Sequence, residues 1–284
     1  MNRLSSLAAS GTSPKLPLMK QFTEEAEIEA DDCSAAHAQR QSLLGQLANS
    51  TQPKILRPRS FFLPVRYESG YRYPLVVWLH SNGYNENQIG DVMPDISTRN
   101  YVGVGIRASQ AVDVSGRRFN WSQAPAAIAR CEDAIWQAVD EATDRYSIHR
   151  DRIFLAGYGE GGTMARRVAF QRSGHFAGCV SLGGRLPRGG AVFSNLTAAR
   201  KLKNFWAVAM HGCSMTDSDF DDDIRLAADA QLKLEVRRYT VADEMVSEVL
   251  RDVNTWMMQI VTGTVVSSPA PPDWNSTAVQ FSAN

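Results

Sequence analysis

The stretch RIFLAGYGEGGTMARRVAF, Arg152 to Phe170, decides the fold. Its apolar start, IFLA, is typical of a buried strand, and closely spaced glycines interrupt that strand from Gly157 onwards. Glycine allows backbone conformations and close chain approaches that other residues do not, so this spacing predicts a sharp turn. The residues after the glycines favour a helix. The stretch therefore predicts one strand that turns abruptly into one helix.

Further apolar runs on both sides of this stretch predict a sheet. Several of them are continuous, as expected of parallel strands that are covered on both faces. The predicted strands are Phe61–Tyr67, Tyr73–His80, Tyr101–Arg107, Arg152–Gly157, Gly178–Gly184, Phe205–Gly212 and Leu232–Val241.

Two other segments carry apolar residues at helical spacing. Ala124–Tyr146 and Val246–Val261 each present one apolar stripe, so each is predicted to be an amphipathic helix. Strands and helices that alternate in this way predict an α/β fold with a doubly wound, mostly parallel sheet. In such folds ligands bind at the carboxyl ends of the strands.

The two ends of the chain differ in composition from this alternating region. Residues 1–54 are rich in Ser, Ala, Gln and acidic residues, and they are predicted to form an appendage that is partly disordered or holds one helix. Residues 55–262 are predicted to form the α/β domain. Residues 263–284 contain three prolines and no periodic pattern, so they are predicted to be a disordered tail.

Composition limits the classes of function. The 284 residues include 30 Lys plus Arg and 30 Asp plus Glu, so the formal net charge is zero. A nucleic-acid partner is not expected, because proteins that bind nucleic acids carry a surplus of positive charge. We also expect no membrane span and no secretory leader, because the sequence contains no apolar run of the kind that either requires. The sequence therefore predicts a cytoplasmic protein.

No cofactor and no metal site are predicted. The four cysteines Cys33, Cys131, Cys179 and Cys213 have no paired spacing, and they are predicted to be buried free thiols. The acidic run TDSDFDDD, Thr216–Asp223, lacks the glycine turn and the distal glutamate of a calcium-binding loop. It is predicted to be an exposed turn whose carboxylates cap a helix.

Three motifs together resemble those of a known family. AGYGEGGTMA, Ala156–Ala165, is similar to a Gly-x-Ser-x-Gly turn that lifts a catalytic serine above a sheet. YPLVVWLHSNGYNENQ, Tyr73–Gln88, is similar to an oxyanion loop, and YSIHRD precedes the strand of the turn. These motifs resemble the carboxylesterase and phospholipase branch of the α/β-hydrolase superfamily, over about Phe61 to Thr262. The resemblance implies the α/β-hydrolase fold.

The same resemblance assigns three catalytic positions, and none of them holds the residue that the family uses. The nucleophile position is Gly159, the acid position is Met215 and the histidine position is Asp243. No histidine follows His211 in the chain. Glycine adopts the strained conformation of such a turn at little cost, so the replacement suits a chain that no longer needs the hydroxyl. The resemblance therefore implies an esterase fold with a degenerate triad.

Other residues at the predicted strand ends have more than one interpretation. By resemblance, the oxyanion donors are the amides near Ser81 or Asn82 and the amide of Glu160, in a hole that is either open or filled by a repacked loop. Glu160 and Asp243 either face one crevice, as an acid/base pair or as ligands of a cation, or are solvated and cap helices.

Two histidines and two arginines also have both structural and functional interpretations. His80 and His211 are predicted to form hydrogen bonds near the loops, while His211 with Ser214 is a possible substitute for the missing base and nucleophile. Arg166 and Arg167 are predicted to lie at the surface rather than to bind an anion.

Three functions are compatible with these assignments. The first is a catalytically degenerate α/β-hydrolase, or pseudo-esterase, that binds an unidentified small molecule or protein. The second is a carboxylic-ester hydrolase with a non-standard catalytic group, such as Ser214 with His211. The third is an enzyme of another class that uses Glu160 or Asp243 as its acid or base. The fold does not choose among them, because function depends on the site.

Overall fold

The computed structural model describes residues 57–189, 192–211 and 215–264, together with the backbone of residues 278–280. The chain divides into two compact units between Ile55 and Leu56, and the described residues all belong to the second. The appendage predicted at residues 1–54 lies outside the described residues, so it stays a prediction.

Strands and helices alternate along the second unit. The strands are β1 (Arg59–Phe62), β2 (Tyr73–Leu79), β3 (Val102–Ile106), β4 (Gln110–Ala111), β5 (Phe119–Asn120), β6 (Ile148–Tyr158), β7 (Gly178–Leu182), β8 (Asn204–Ala209), β9 (Leu234–Tyr239) and β10 (Ala278–Gln280). The α-helices are α1 (Gln88–Ile96), α2 (Pro125–Arg145), α3 (Glu160–Gln171), α4 (Leu196–Ala199), α5 (Asp217–Asp229) and α6 (Ser247–Thr262).

One large sheet organises the unit. Its strand order is β1-β3-β2-β6-β7-β8-β9-β10, and β4 and β5 form a separate hairpin. The six inner strands of this order, from β3 through β2 to β9, are parallel. The outer strands β1 and β10 pair antiparallel with β3 and β9. This arrangement confirms the predicted doubly wound, mostly parallel α/β fold. Because parallel strands point the same way, the residues that follow β2, β6, β7 and β8 meet where the carboxyl ends of these strands lie, which is called the carboxyl edge of the sheet below.

The core lies on both faces of the sheet. Every residue of β2 is buried, with Leu75, Val77 and Leu79 in one hydrophobic cluster and Val76 and Trp78 in the other. Successive side chains of a strand point to opposite faces, so a strand that is covered on both sides needs apolar residues at every position. This requirement explains the continuous apolar runs of the sequence.

The two helices with clear apolar stripes are confirmed. α2 and α6 differ by one residue at each end from the predicted Ala124–Tyr146 and Val246–Val261. α2 begins at Pro125, whose fixed φ and missing N–H suit the first turn of a helix. α6 ends before Gly263, whose φ of 70° stops the helix in the left-handed region.

Two segments differ from the sequence predictions. The first predicted strand ends at Phe62 rather than Tyr67. Pro64 has no N–H for the ladder, and Arg66 has a φ of 61°, which a strand does not accommodate. β10 lies inside the predicted disordered tail, and its antiparallel pairing with β9 differs from that expectation. The tail residues 265–277 and 281–284 lie outside the described residues.

Cys131 and Cys179 are buried free thiols, as predicted. Cys33 and Cys213 lie outside the described residues. In the part of the chain that the structure describes, no helix is both long enough and apolar enough to cross a membrane.

Candidate functional site

Gly159 lies at the turn between β6 and α3. Its dihedrals, φ 56° and ψ −124°, are ones that a residue with a side chain adopts only with strain. Its amide donates to the carbonyl of Leu182, at the end of β7, at 2.8 Å. A Cβ built on Gly159 would meet nothing within 4 Å apart from its chain neighbours. The turn thus has the shape of a nucleophile elbow and space for a side chain, but it carries none.

The neighbouring glycines allow close packing around this elbow. A Cβ on Gly161 would lie 2.3 Å from the carbonyl oxygen of Leu79, and one on Gly184 would lie 2.5 Å from the carbonyl oxygen of Gly159. A Cβ on Gly157 would lie 2.6 Å from the backbone of Gly161. These contacts are to main-chain atoms, so no rotation of a side chain relieves them. Packing therefore requires the glycine spacing whether or not the site is catalytic.

Asp243, which the sequence motifs predict to occupy the histidine position of the family, lies beside the elbow. The hydroxyl of Tyr158 donates to Asp243 Oδ1 at 3.0 Å, and the amide of Met245 donates to the same oxygen at 2.7 Å. Burial and the hydrogen bond to Asp243 raise the pKa of the Tyr158 phenol, so the hydroxyl stays protonated. The residue that caps α6 is Val246, without a side-chain bond, so Asp243 does not cap that helix.

Glu160 is exposed at the first residue of α3. Its charge interacts favourably with the amino end of that helix. Among the described residues, nothing joins the carboxylates of Glu160 and Asp243 by a hydrogen bond. In the same part of the chain, no group of three or more His, Cys, Asp or Glu side chains could hold a metal ion.

Glu244 is a buried acid at this edge that sequence analysis did not single out. It is 3% exposed, and its Oε1 accepts a hydrogen bond from the amide of Ala209 at 2.8 Å. A Cβ on Gly183, after β7, would lie 2.8 Å from both carboxylate oxygens. Burial raises the pKa of Glu244, and the bond from Ala209 opposes that shift. The sequence shows only that a second acid follows Asp243. It does not show that Glu244 is buried, because Ala209 and Gly183, which surround it, belong to other strand ends.

The loop after β2 does not present the Ser81 amide to the elbow. That amide donates to Gln88 Oε1 at 2.9 Å, and Ser81 Oγ accepts from Gln88 Nε2 at 3.0 Å. Gln88 Oε1 also accepts from Trp78 Nε1 at 3.0 Å. A backbone amide has one hydrogen, so Ser81 has none left for an oxyanion. The predicted donors that remain are Asn82, which is exposed, and Glu160, whose amide opens α3 and has no acceptor within the helix.

The β4–β5 hairpin holds the other side of this loop. The amide of Gly83 shares its one hydrogen between the Phe119 carbonyl at 3.0 Å and Asn120 Oδ1 at 2.8 Å. Arg118 Nε donates to the Gly83 carbonyl at 3.1 Å, and Tyr84 pairs with Phe119 through the backbone. The loop is therefore fixed by Gln88 on one side and by the hairpin on the other. This favours the interpretation that the loop has repacked.

His80 has the structural role that was predicted for it. The amide of Ala108 donates to His80 Nε2 at 3.1 Å, so the other ring nitrogen, Nδ1, carries the proton and donates to the Ser81 carbonyl at 2.7 Å. Trp121 Nε1 donates to the His80 carbonyl at 2.7 Å. Burial lowers the pKa of His80 to about 4. The imidazole is neutral, and both of its nitrogens are engaged.

The other residues proposed for catalysis lie around the end of β8. His211 is exposed, and its amide donates to the Val241 carbonyl at 3.2 Å. Ser214 lies outside the described residues, so its pairing with His211 stays a prediction. Met215 is 8% exposed and lies two residues before the start of α5. Its thioether is only a weak acceptor and does not orient an imidazole as a carboxylate does.

Arg166 and Arg167 are buried, so the prediction of surface positions is wrong. Arg166 Nη1 donates to the Gly184 carbonyl at 3.0 Å, and Arg167 Nη2 donates to the Arg188 carbonyl at 2.9 Å. Both acceptors belong to the loop after β7. Sequence spacing within α3 does not reveal that this loop folds over the helix.

The acidic run TDSDFDDD begins α5. Thr216 Oγ1 accepts from the Asp219 amide at 3.1 Å, and the Thr216 amide donates to Asp219 Oδ2 at 3.2 Å, so the predicted capping is confirmed. The prediction of an exposed turn is wrong at Asp223, which is fully buried. Its carboxylate accepts from Arg185 and Arg188. These arginines come from the loop after β7.

The sheet, the flanking helices and the elbow together define an α/β-hydrolase fold of the esterase type. The model of the phospholipase/carboxylesterase family matches residues 74–257, and the chain belongs to that family. The resemblance seen in the sequence motifs is thereby confirmed.

Solved structures of other proteins share this fold. The carboxylesterase of Bacillus cereus has a TM-score of 0.57 and 17% identity, over 72% of this chain and 95% of that protein. SOBER1 of Arabidopsis thaliana has a TM-score of 0.56 and 12% identity, over 66% of this chain and 99% of that protein. A carboxylesterase from Mesorhizobium loti has a TM-score of 0.54 and 14% identity, over 65% and 88% respectively. No curated protein sequence matches the chain.

Proposed function

We propose that this chain is a non-hydrolysing member of the phospholipase/carboxylesterase family that uses the fold to bind a small molecule or a protein. The observation that carries the proposal is Gly159. The elbow has the dihedrals of a nucleophile turn and open space above it, yet no side-chain atom is present to attack a carbonyl carbon.

The distribution of histidines supports the same proposal, because ester hydrolysis by this route needs a base beside the nucleophile. His149 lies in the first residues of β6 and His175 lies just before β7, so both are at the amino ends of the strands. At the carboxyl edge, both nitrogens of His80 are engaged, and His211 lies beside Val241. The fifth histidine is outside the described residues.

The expected loss of rate is large. Removing an assembled triad lowers turnover on the order of a millionfold, and the oxyanion hole and binding alone leave about 10³ to 10⁴ over water. Losing one oxyanion donor costs about another 10² to 10³. Because the Ser81 amide is already bonded to Gln88, hydrolysis by this chain should stay close to the uncatalysed rate.

The test is an ester-hydrolysis assay with p-nitrophenyl butyrate, run alongside labelling by a serine-reactive fluorophosphonate. We expect neither turnover nor labelling of the unmodified chain. The matched variant Gly159→Ser should also remain unlabelled, because Asp243 does not supply the missing base. Turnover that fluorophosphonate blocks, or that Ser214→Ala abolishes, would overturn the proposal in favour of an esterase with a substitute nucleophile.

A second candidate is acid/base chemistry of another class, which the bond between Tyr158 and Asp243 favours. A phenol and a carboxylate 3.0 Å apart beside an open elbow can exchange a proton with a ligand. A screen for lyase activity tests this candidate. Activity that is lost in Asp243→Asn and retained in Glu160→Gln would support it, and activity that both variants retain would reject it.

A further inference from the structure

A cavity of about 210 Å³ lies between the end of β8, the strand β9 and the start of α5. Its lining combines the apolar side chains of Met210, Met215 and Phe220 with the polar side chains of Thr216, Asp217 and Arg238. A cavity of about 150 Å³ holds benzene in another protein, so this one has room for a single ring with a small polar group.

Arg238 has donor capacity that its neighbours do not use. Its guanidinium carbon lies 4.9 Å from the centre of the Phe220 ring. Its Nε is buried and has no acceptor among the described residues. Its Nη2 lies 3.3 Å from Asp217 Oδ1, and the side chain of Asp217 is 94% exposed. An ion pair with so exposed a partner contributes little, so Arg238 is available to an anionic ligand.

Phe220, in the cavity wall, contacts the ring of Trp206, and a second arginine lies over that ring. Phe220 and Trp206 have ring centres 5.3 Å apart, and the guanidinium carbon of Arg166 lies 4.6 Å from the Trp206 ring. Arg166 is fully buried, and its Nε and Nη2 have no acceptor in the described part of the chain. Burial lowers its pKa to about 10, so the group remains charged at neutral pH.

Two carboxylates near this end of α5 already have arginine partners from the loop after β7. Asp219 and Asp223 pair with Arg185, and Arg188 adds a further positive charge on Asp223. Asp217 also lines the cavity, so a ligand's carboxylate would take the place of Asp217 beside Arg238.

We propose that this cavity binds a small organic carboxylate with an apolar body of about one ring, and that Arg238 recognises the carboxylate. Arginine presents parallel N–H groups that match the two oxygens of a carboxylate. The inference rests on the proposed function, because with Met215 at the acid position the space beside β8 serves a ligand rather than a triad.

The cavity is separate from the elbow. Ala209, in its wall, ends β8, whereas Gly159 follows β6. Adjacent strands lie about 4.8 Å apart, so the two places are about 10 Å apart along the sheet edge. A ligand in the cavity and a reaction at the elbow can therefore be tested separately.

The test is calorimetric titration of the full chain with sodium benzoate and with benzyl alcohol, which has the same ring and no charge. We expect saturable binding of benzoate, about tenfold or more tighter than that of benzyl alcohol. Arg238→Gln should weaken benzoate about tenfold and leave benzyl alcohol unchanged. The control Arg225→Gln, on α5, changes an exposed arginine that pairs with Asp222, and it should bind benzoate like the unmodified chain.

Three results would overturn the inference: no saturable benzoate binding up to about 10 mM, equal affinity for the two probes, or benzoate binding that Arg238→Gln does not weaken. If Arg238→Gln does not fold, crystals of the unmodified chain soaked with 4-bromobenzoate decide the matter. Bromine density in the cavity supports the inference, and its absence there overturns it. Absence of benzoate binding leaves the proposed function standing, whereas fluorophosphonate-sensitive ester hydrolysis overturns the proposed function whatever benzoate does.

Discussion

Replacing Gly159 by alanine measures the backbone strain of the elbow without a steric collision. The new Cβ would have nothing within 4 Å, so the cost comes from the left-handed φ of 56°. Such strain costs about 1 to 3 kcal/mol, and the stiffer unfolded chain returns about 0.4 to 1 kcal/mol. The difference ranges from about 0 to 2.6 kcal/mol, and from its middle we expect Gly159→Ala to lower the free energy of unfolding by about 1 kcal/mol.

Two other glycines provide matched controls. A Cβ on Gly90, in α1, would also have nothing within 4 Å, and Gly90 is not among the glycines with positive φ. Gly90→Ala should stabilise the protein by about 0.5 to 1 kcal/mol, because alanine favours a helix. Gly161→Ala would place its Cβ 2.3 Å from the Leu79 carbonyl oxygen, so it should destabilise the protein more than Gly159→Ala.

The measurement is unfolding in urea, followed by tryptophan fluorescence, with the midpoints compared at an unchanged slope. The expected order of stability is Gly90→Ala, the unmodified chain, Gly159→Ala and then Gly161→Ala. If Gly159→Ala were as stable as Gly90→Ala, the turn would hold no strain. The argument that glycine relieves an unused nucleophile elbow would then fail.

Three further predictions concern buried polar groups. Asp223→Ala should lower the free energy of unfolding by about 2 to 4 kcal/mol, because it removes several charged hydrogen bonds. The control Asp222→Ala, on the exposed face of α5, should change that free energy by less than about 0.5 kcal/mol. Urea unfolding measures both variants. His80→Gln should remove part of the pH dependence of stability. The pKa of His80 is about 4 in the folded chain and 6.5 in the unfolded chain, so the unfolded chain binds more protons between these pH values. Acidification from pH 6.5 to pH 4 should therefore lower the free energy of unfolding of the unmodified chain by about 3 kcal/mol more than that of the variant. If the urea midpoints of both proteins changed equally with pH, this prediction would be contradicted. Gln88→Met should lower the melting temperature markedly, because it leaves two buried donors unpaired at about 1 to 3 kcal/mol each, while the neighbouring exposed Asn87→Met should not.

Much of the architecture could be predicted from local pattern. The continuous apolar run of β2 and the helical stripes of α2 and α6 place these elements correctly, because burial on one or two faces imposes a period on the residues themselves. Gly159 could be identified as the turn for the same kind of reason. A strand that becomes a helix within a few residues needs glycine, and that need is visible in neighbouring letters.

The limits of local pattern are seen in the helix α3. Arg166 and Arg167 look like surface residues from their charge, but the loop after β7 covers them and accepts their hydrogen bonds. The acidic run at the start of α5 shows a helix cap, which is a local contact, yet it does not show that Asp223 is buried against Arg185 and Arg188. Burial of a charged residue depends on a partner that another part of the chain supplies.

The amino-acid sequence thus determined the layers of this protein, the place of the elbow and the absence of a hydroxyl at Gly159, since each depends on residues close together in the chain. Only the tertiary structure decided that Gln88 takes the amide of Ser81, that Glu244 is buried against the end of β8, and that the hydroxyl of Tyr158 meets Asp243 from 85 positions away. These outcomes depend on which distant residues the carboxyl ends of the parallel strands bring together, and the spacing of residues along the chain does not show which of them meet.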